Sequence, residues 1–240
     1  MDKVLIFIPC LNAEKTITKV LDRMKNLKFK YNLLIVDNNS SDRTREVLKN
    51  YIGRNKFAKC SLIKNPRNLG YGGSQKVALK YGISKGYDYL IVIHADGQYP
   101  IEYSGKLIEA IKNYKCSLVV GSRIRFKGVK KVMPTWRYTG NRILTEFNKW
   151  AYGINLSDYH SEFRIYDLKF MKKVNTDKWS NQDSFTLQSL LGIDKKKGQI
   201  REIPIPCSYP EDAHHPPILN LIWYSIYTII RGFKYKILMR

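Results

Sequence analysis

Short apolar runs alternate through the first half of the chain with segments whose apolar residues recur every three or four positions. VLIFIPC (4–10), NLLIVD (32–37), a shorter run over 59–63, YDYLIVI (87–93) and SLVVGSR (117–123) have the length and continuity of strands buried on both faces. After the first run, Ile17, Val20, Leu21, Met24 and Leu27 share one helical face. After the second, SSDRTREVLKNY offers Ser41 or Asp42 as a helix cap. Val77, Ala78 and Tyr81 mark a third helix behind NLGYGGS (68–74), and a fourth falls near 102–113. This alternation predicts an α/β fold, a mostly parallel sheet flanked by helices. The second half is less regular, with helices expected over 138–152 and 181–192, a strand over 199–207 and a surface loop over 126–134. The chain reads as one domain over 1–213 followed by a helical tail over 214–240.

Three of the runs end in polar clusters: PCLNAE, DNNSSD and HADGQYP. In parallel α/β sheets, ligands gather beyond the C-terminal ends of the strands, so the topology would bring these clusters to one rim. A carboxylate beside a buried strand is costly unless it faces a cleft and finds partners there. Asp37 could then accept from a base N–H or a ribose hydroxyl. Asp96, with His94 and Gln98 on either side, offers oxygen and nitrogen ligands from one turn. Mg²⁺ or Mn²⁺ suits such a set, with a diphosphate supplying the remaining ligands. The plainer alternatives are a turn-capping Asp96 ahead of Pro100 and an incidental polar residue at His94. NLGYGGS lacks both the Lys-Ser/Thr ending of a Walker loop and the full dinucleotide spacing. Its glycines, Gly72 among them, read as a tight turn and close helix packing near the ligand, with direct ligand contact as the alternative.

Charge narrows the partners. Against 20 Asp and Glu stand 42 Lys and Arg, a formal charge of +22, which favours anionic ligands or surfaces. Nucleic acid would satisfy that field, but no recognition motif is present and acids crowd the strand ends. The four cysteines are far apart with no metal spacing, and read as buried free thiols of a reducing compartment. MDKVLIFIPC reads as a first strand rather than a signal peptide. The tail is apolar nearly all round for only about 13 residues before Arg231, short of the ~20 that span a bilayer. Trp223, Tyr224 and Tyr227 are residue types of the lipid interface, and Arg231, Lys234, Lys236 and Arg240 would meet anionic headgroups. A peripheral position on the membrane surface follows, with packing on the sheet or on a second subunit of a homo-oligomer as the alternative.

FIPCLNAEKTI, IVDNNSSDRT, NPRNLGYGGSQKVAL, GYDYLIVIHADGQYPIEY and VVGSR, in this order, resemble the family 2 glycosyltransferases. The likeness is to the branch of dolichyl-phosphate mannosyltransferase and bacterial polyprenyl-phosphate glycosyltransferases, good over about residues 3–170 and looser beyond. It implies the GT-A nucleotide-sugar-binding fold and transfer of a sugar from a UDP- or GDP-sugar, inverting and metal-assisted, with polyprenyl phosphate as acceptor at the cytoplasmic face of the membrane.

On this chain the resemblance gives the nucleotide pocket to Pro9, Leu11, Asn12 and Glu14, the base to Asp37, and the ribose side to Ser41 and Asp42. It gives the metal to Asp96 and Gln98, with His94 standing where the family's first acid stands. Ala13 also replaces a usual acid. The acceptor phosphate would fall to Arg123, Arg137, Asn141 and Arg164, the last in a stretch where Glu162 replaces a usual glycine. Asp183 would be the base if the acceptor were instead a hydroxyl of a glycan or glycolipid. The family's basic loop over the diphosphate has no match here. Glu211, Asp212, His214 and His215 stand in its place, and His215 is a candidate to complete the metal site.

Overall fold

Alternation within the strands builds the two faces of the central sheet. In the computed structural model, which describes residues 2–55, 59–208 and 218–238, β1 (Val4–Cys10) sends Val4, Ile6 and Ile8 to one side and Leu5 and Phe7 to the other. All five are essentially sealed from solvent. On the first side they meet α1 (Ile17–Met24) and α4 (Ser104–Asn113). The opposite side is covered by α3 (Gly70–Ser84) and α8 (Phe185–Lys195). A strand apolar at every position belongs between two such layers.

β2 (Asn32–Asp37) and β4 (Tyr89–Val92) flank β1 in parallel, and β3 (Cys60–Lys64) extends that half beyond α2 (Thr44–Arg54). The sheet has seven strands in the order β3-β2-β1-β4-β6-β5-β7, with β5 at Leu118–Ser122, β6 at Arg164–Asp167 and β7 at Ile200–Pro204. β6 runs antiparallel to both its neighbours. The expected mostly parallel sheet is therefore present, with one strand inserted against the grain that the apolar pattern does not announce. Its residues, RIYD, include an arginine and an aspartate and read as loop until their burial is known.

The second half also differs in detail. A short helix, α5 (Val129–Val132), occupies part of the expected surface loop, and α6 (Thr135–Tyr152) begins three residues earlier than its pattern suggests. After α7 (Leu168–Met171), residues 181–184, expected to be helical, form a turn ahead of α8. That turn lies on the start of α3. A Cβ at Gly72 would stand 2.5 Å from the Ser180 carbonyl oxygen and 2.7 Å from Phe185 Cβ. The glycine is there for this approach, and Gly72→Ala is expected to cost about 1–3 kcal/mol in thermal or denaturant unfolding.

The C-terminal helix, α9 (Ile218–Leu238), packs along α6. Phe233 meets Phe147 and Trp150 at ring separations of 5.3 and 5.6 Å, and a Cβ at Gly232 would lie 2.5 Å from the Phe147 ring. This close approach carries the helix on past Arg231. No helix among the described residues is long and apolar enough to cross a membrane. All four cysteines are free, three of them buried and Cys60 partly so. Burial pushes the Cys60 and Cys116 thiols up to about 11.

Candidate active site

The parallel register puts the C-terminal ends of β1, β2 and β4 on one edge, where Cys10 pairs with Asp37 and Phe7 with Val92. The loops that follow β1 and β2 are laced together there. Asn12, with φ of 51°, accepts the Ser41 backbone N–H on its side-chain oxygen at 2.9 Å and donates its own N–H to Ser40 Oγ. Left-handed backbone is tolerated by asparagine because its short amide bonds locally. Glu14 accepts the Arg43 N–H, its own N–H reaches Asp42, and the Ala13 N–H donates to Thr44 Oγ1 at 2.7 Å. Leu11 projects from this loop largely exposed, and Pro9 is half-buried behind it.

Asp37 sits at the floor, 1% exposed. Its Oδ1 accepts the Ser40 N–H at 2.9 Å, while Oδ2 is buried and has no partner among the described residues. A buried carboxylate oxygen with nothing to accept from is expensive, and a ligand N–H or O–H arriving at this point would satisfy it. Asn38 beside it ties β2 to the start of α3 by accepting from Asn65 and Leu69 and donating to Asn68.

The HADGQYP turn continues β4 on the same edge. Gly97 takes φ of 73°, and Asp96 Oδ1 accepts the Gln98 N–H at 3.0 Å, which fixes the half-buried carboxylate in the turn. Arg23 of α1 clamps the turn from outside, donating to the carbonyls of Gly97 and Tyr99 and pairing with Glu102. No spacing in the sequence signals this clamp.

His94 is engaged with protein groups. Its Nε2 lies 3.1 Å from Glu162 Oε2 and 3.0 Å from the Tyr71 hydroxyl. Burial alone would lower its pKa, but the hydrogen bond and charge of Glu162, helped by Asp96, outweigh that and hold it above the usual histidine value. Burial works in the opposite sense on Glu162, and His94 and Thr186 hold that carboxyl below its ordinary range. The His94 imidazole, a candidate metal ligand or an incidental polar residue by its sequence, is thus bonded to a carboxylate.

Two of the arginines expected at the acceptor are deep in the fold. Arg123, just after β5, makes a doubly bonded ion pair with Asp158, at 2.8 and 3.0 Å, and lies over the Tyr99 ring. Arg164 is 1% exposed and donates to the carbonyls of Tyr159, Ser161 and Thr186 and to Ser189 Oγ. It braces β6 against α8 from inside, a different placement from the solvent-facing one expected of a phosphate ligand. Arg137 and Asn141 lie on α6, half-buried, with the Asn141 amide toward Met133 Sδ. Asp183 is exposed in the turn before α8, where its carbonyl receives the Thr186 N–H. Tyr224 of α9 reaches into this region, its hydroxyl 3.2 Å from His160 Nδ1. Burial lowers the His160 pKa to about 4, so that imidazole is neutral near pH 7. The candidates at 211–215 lie outside the described residues.

The model of the family described as glycosyl transferase family 2 matches residues 5–174, the segment that carries both acidic turns. The chain is a family 2 glycosyltransferase. Among similar proteins is the UDP-N-acetylglucosamine–dolichyl-phosphate N-acetylglucosaminyltransferase of Methanococcus voltae, 29% identical over 221 residues that cover 88% of each chain. The undecaprenyl-phosphate mannosyltransferase of Micrococcus luteus is 25% identical over 205 residues, 85% of this chain and 82% of that one. Among solved structures, glucosyl-3-phosphoglycerate synthase of Mycobacterium tuberculosis, in complex with Mn²⁺, UDP and phosphoglyceric acid, superposes with a TM-score of 0.70. It is 14% identical, over 96% of this chain and 78% of that one, and confirms the GT-A architecture.

In this glycosyltransferase, no group of three or more His, Cys, Asp and Glu side chains among the described residues is arranged to hold a metal. Asp96 alone presents a carboxylate in the turn, and Mg²⁺ or Mn²⁺ bound to a nucleotide commonly needs only one or two, with phosphate oxygens and water making up the rest. The donor set therefore fits a cation that arrives with its nucleotide.

Proposed function

We propose that this glycosyltransferase moves a sugar from a UDP- or GDP-sugar to a polyprenyl phosphate at the cytoplasmic face of a membrane, with inversion at the anomeric carbon. The reading rests above all on the buried Oδ2 of Asp37, unpartnered among the described residues, lying on the same sheet edge as the Asp96 turn. Asp37 takes a donor group of the nucleoside, the Asn12–Ser41 and Glu14–Arg43 bonds shape the wall around it, and the Asp96 turn with Gln98 meets the diphosphate. A divalent cation held by Asp96 would neutralise charge on the departing diphosphate. His94 is placed outside that ligand set because of its bond to Glu162.

A phosphate acceptor is already an anion and needs no base; it needs positive charge beside it. Arg137 and Asn141 on α6 are assigned to it, with the exposed Lys130 and Lys131 of α5 ahead of them. Arg123 is kept as the group that sets this wall through Asp158. The same helix and α9 present Trp136, Ile143, Trp150, Trp223, Ile230 and Ile237 to solvent, with Arg231 and Lys234 alongside. That combination suits the interface of an anionic membrane, where the lipid acceptor resides. The names of the Methanococcus and Micrococcus relatives support the acceptor class.

The assay offers the protein UDP- and GDP-sugars with Mn²⁺ or Mg²⁺, with and without undecaprenyl phosphate. Release of nucleoside diphosphate is expected to require the lipid and to survive Asp183→Asn. Loss of turnover in that variant, with folding intact, would move the reaction to a hydroxyl acceptor with Asp183 as base. Asp37→Asn keeps the bond from Ser40 and puts an amide where an acceptor is required. It is expected to weaken nucleoside diphosphate binding by about ten- to a hundredfold by calorimetry, without lowering the unfolding temperature.

A further inference from the structure

The antiparallel pairing of β4 with β6 matches Val92 to Arg164, and that register carried two residues outward sets His94 opposite Glu162. Both carboxylate oxygens of Glu162 are engaged, Oε2 with His94 Nε2 at 3.1 Å and Oε1 with Thr186 Oγ1 at 2.7 Å. The Glu162 N–H donates to the Tyr99 hydroxyl, and Gln75 donates to the Tyr71 hydroxyl that shares the His94 nitrogen. Groups from the HADGQYP turn, α3 and α8 therefore fix one carboxylate, yet 21% of its side chain stays open to solvent. A carboxylate has about four lone-pair sites, so roughly half its accepting capacity is left over. In a cleft that takes up a diphosphate, a fixed anion repels phosphate and favours neutral donors. The neutral donors a sugar nucleotide brings beyond its phosphates are hydroxyl groups.

We propose that His94 and Glu162 act as one unit, in which Glu162 accepts hydrogen bonds from hydroxyls of the sugar being transferred and His94 is the positioning residue that orients its carboxylate. The idea rests on the donor reading above.

The test compares His94→Gln, Glu162→Gln and the double variant in the full-length protein, using the UDP- or GDP-sugar that turns over and bare UDP and GDP with Mn²⁺. Each single change is expected to lower kcat/KM for the sugar nucleotide by about tenfold. Affinity for the bare nucleotide should change by less than about twofold, because the unit reads the sugar. The double variant should be no worse than the worse single one. Effects that multiply in the double variant would overturn the proposal, as would bare-nucleotide binding that falls in step with turnover, or turnover unchanged in all three. A wild-type protein that binds neither UDP nor GDP would remove the donor reading itself, and this proposal with it.

Discussion

Asp96→Asn is expected to lower turnover by about 10²–10³-fold while leaving the fold intact. The asparagine oxygen can still accept the Gln98 N–H that fixes the carboxylate in its turn, so the loop has no reason to move. What disappears is the negative charge that would hold a cation against the leaving diphosphate. Unfolding free energy should stay within about 0.5 kcal/mol of the parent, as for a partly exposed isosteric change. Steady-state kinetics on the active donor, set beside a thermal melt of the same sample, check both halves. A parallel loss of stability and activity would place Asp96 in the scaffold.

The largest effect on stability should come from the ion pair behind the site. Arg123 and Asp158 are 8% and 0% exposed, and the carboxylate takes the guanidinium on two oxygens and the Arg123 N–H as well. Replacing Arg123 by alanine strands a buried carboxylate, at about 3–5 kcal/mol. Burial pushes the Asp158 pKa upward, but the charge and hydrogen bonds of Arg123 prevail and hold it below the ordinary carboxylate value. A carboxyl lowered in the folded state contributes stability that is complete above its unfolded pKa and is lost as pH falls through the folded one. The melting temperature of the wild type should therefore fall below about pH 4, and Asp158→Asn should show a shallower acid limb. An Arg123→Ala protein as stable as the parent would mean that the pair holds nothing in place.

Much of the fold is written in period and continuity. β1, β2 and β4 are unbroken apolar runs, and each ends in a polar cluster that the parallel register then brings to one edge. Asp37 and Asp96 were visible as carboxylates that a buried strand does not tolerate without a purpose. What could not be read is what other elements do to those ends. β6 is four residues long and half polar, and its insertion between β4 and β5 is set by tertiary pairing. With β6 silent in the pattern, the meeting of His94 and Glu162 has no signal in the sequence. Arg123 and Asp158 are 35 residues apart with no periodic relation, so their pairing has no signal in the sequence. The reach of Arg23 from α1 to the Asp96 turn, 74 residues away, is equally silent. Composition, by contrast, prepared for α9, whose aromatic and basic residues suit an interface. Its close approach to α6, where Gly232 meets Phe147, has no signal in the sequence.

A crystal structure of the protein grown with Mn²⁺ and UDP or GDP would test most directly whether the acidic turns on this edge form one binding site. The nucleoside is expected on Asp37 Oδ2 and the cation on Asp96, with His94 still bonded to Glu162. A nucleotide bound away from that edge, or a cation held by His94 with Asp96 turned aside, would contradict it.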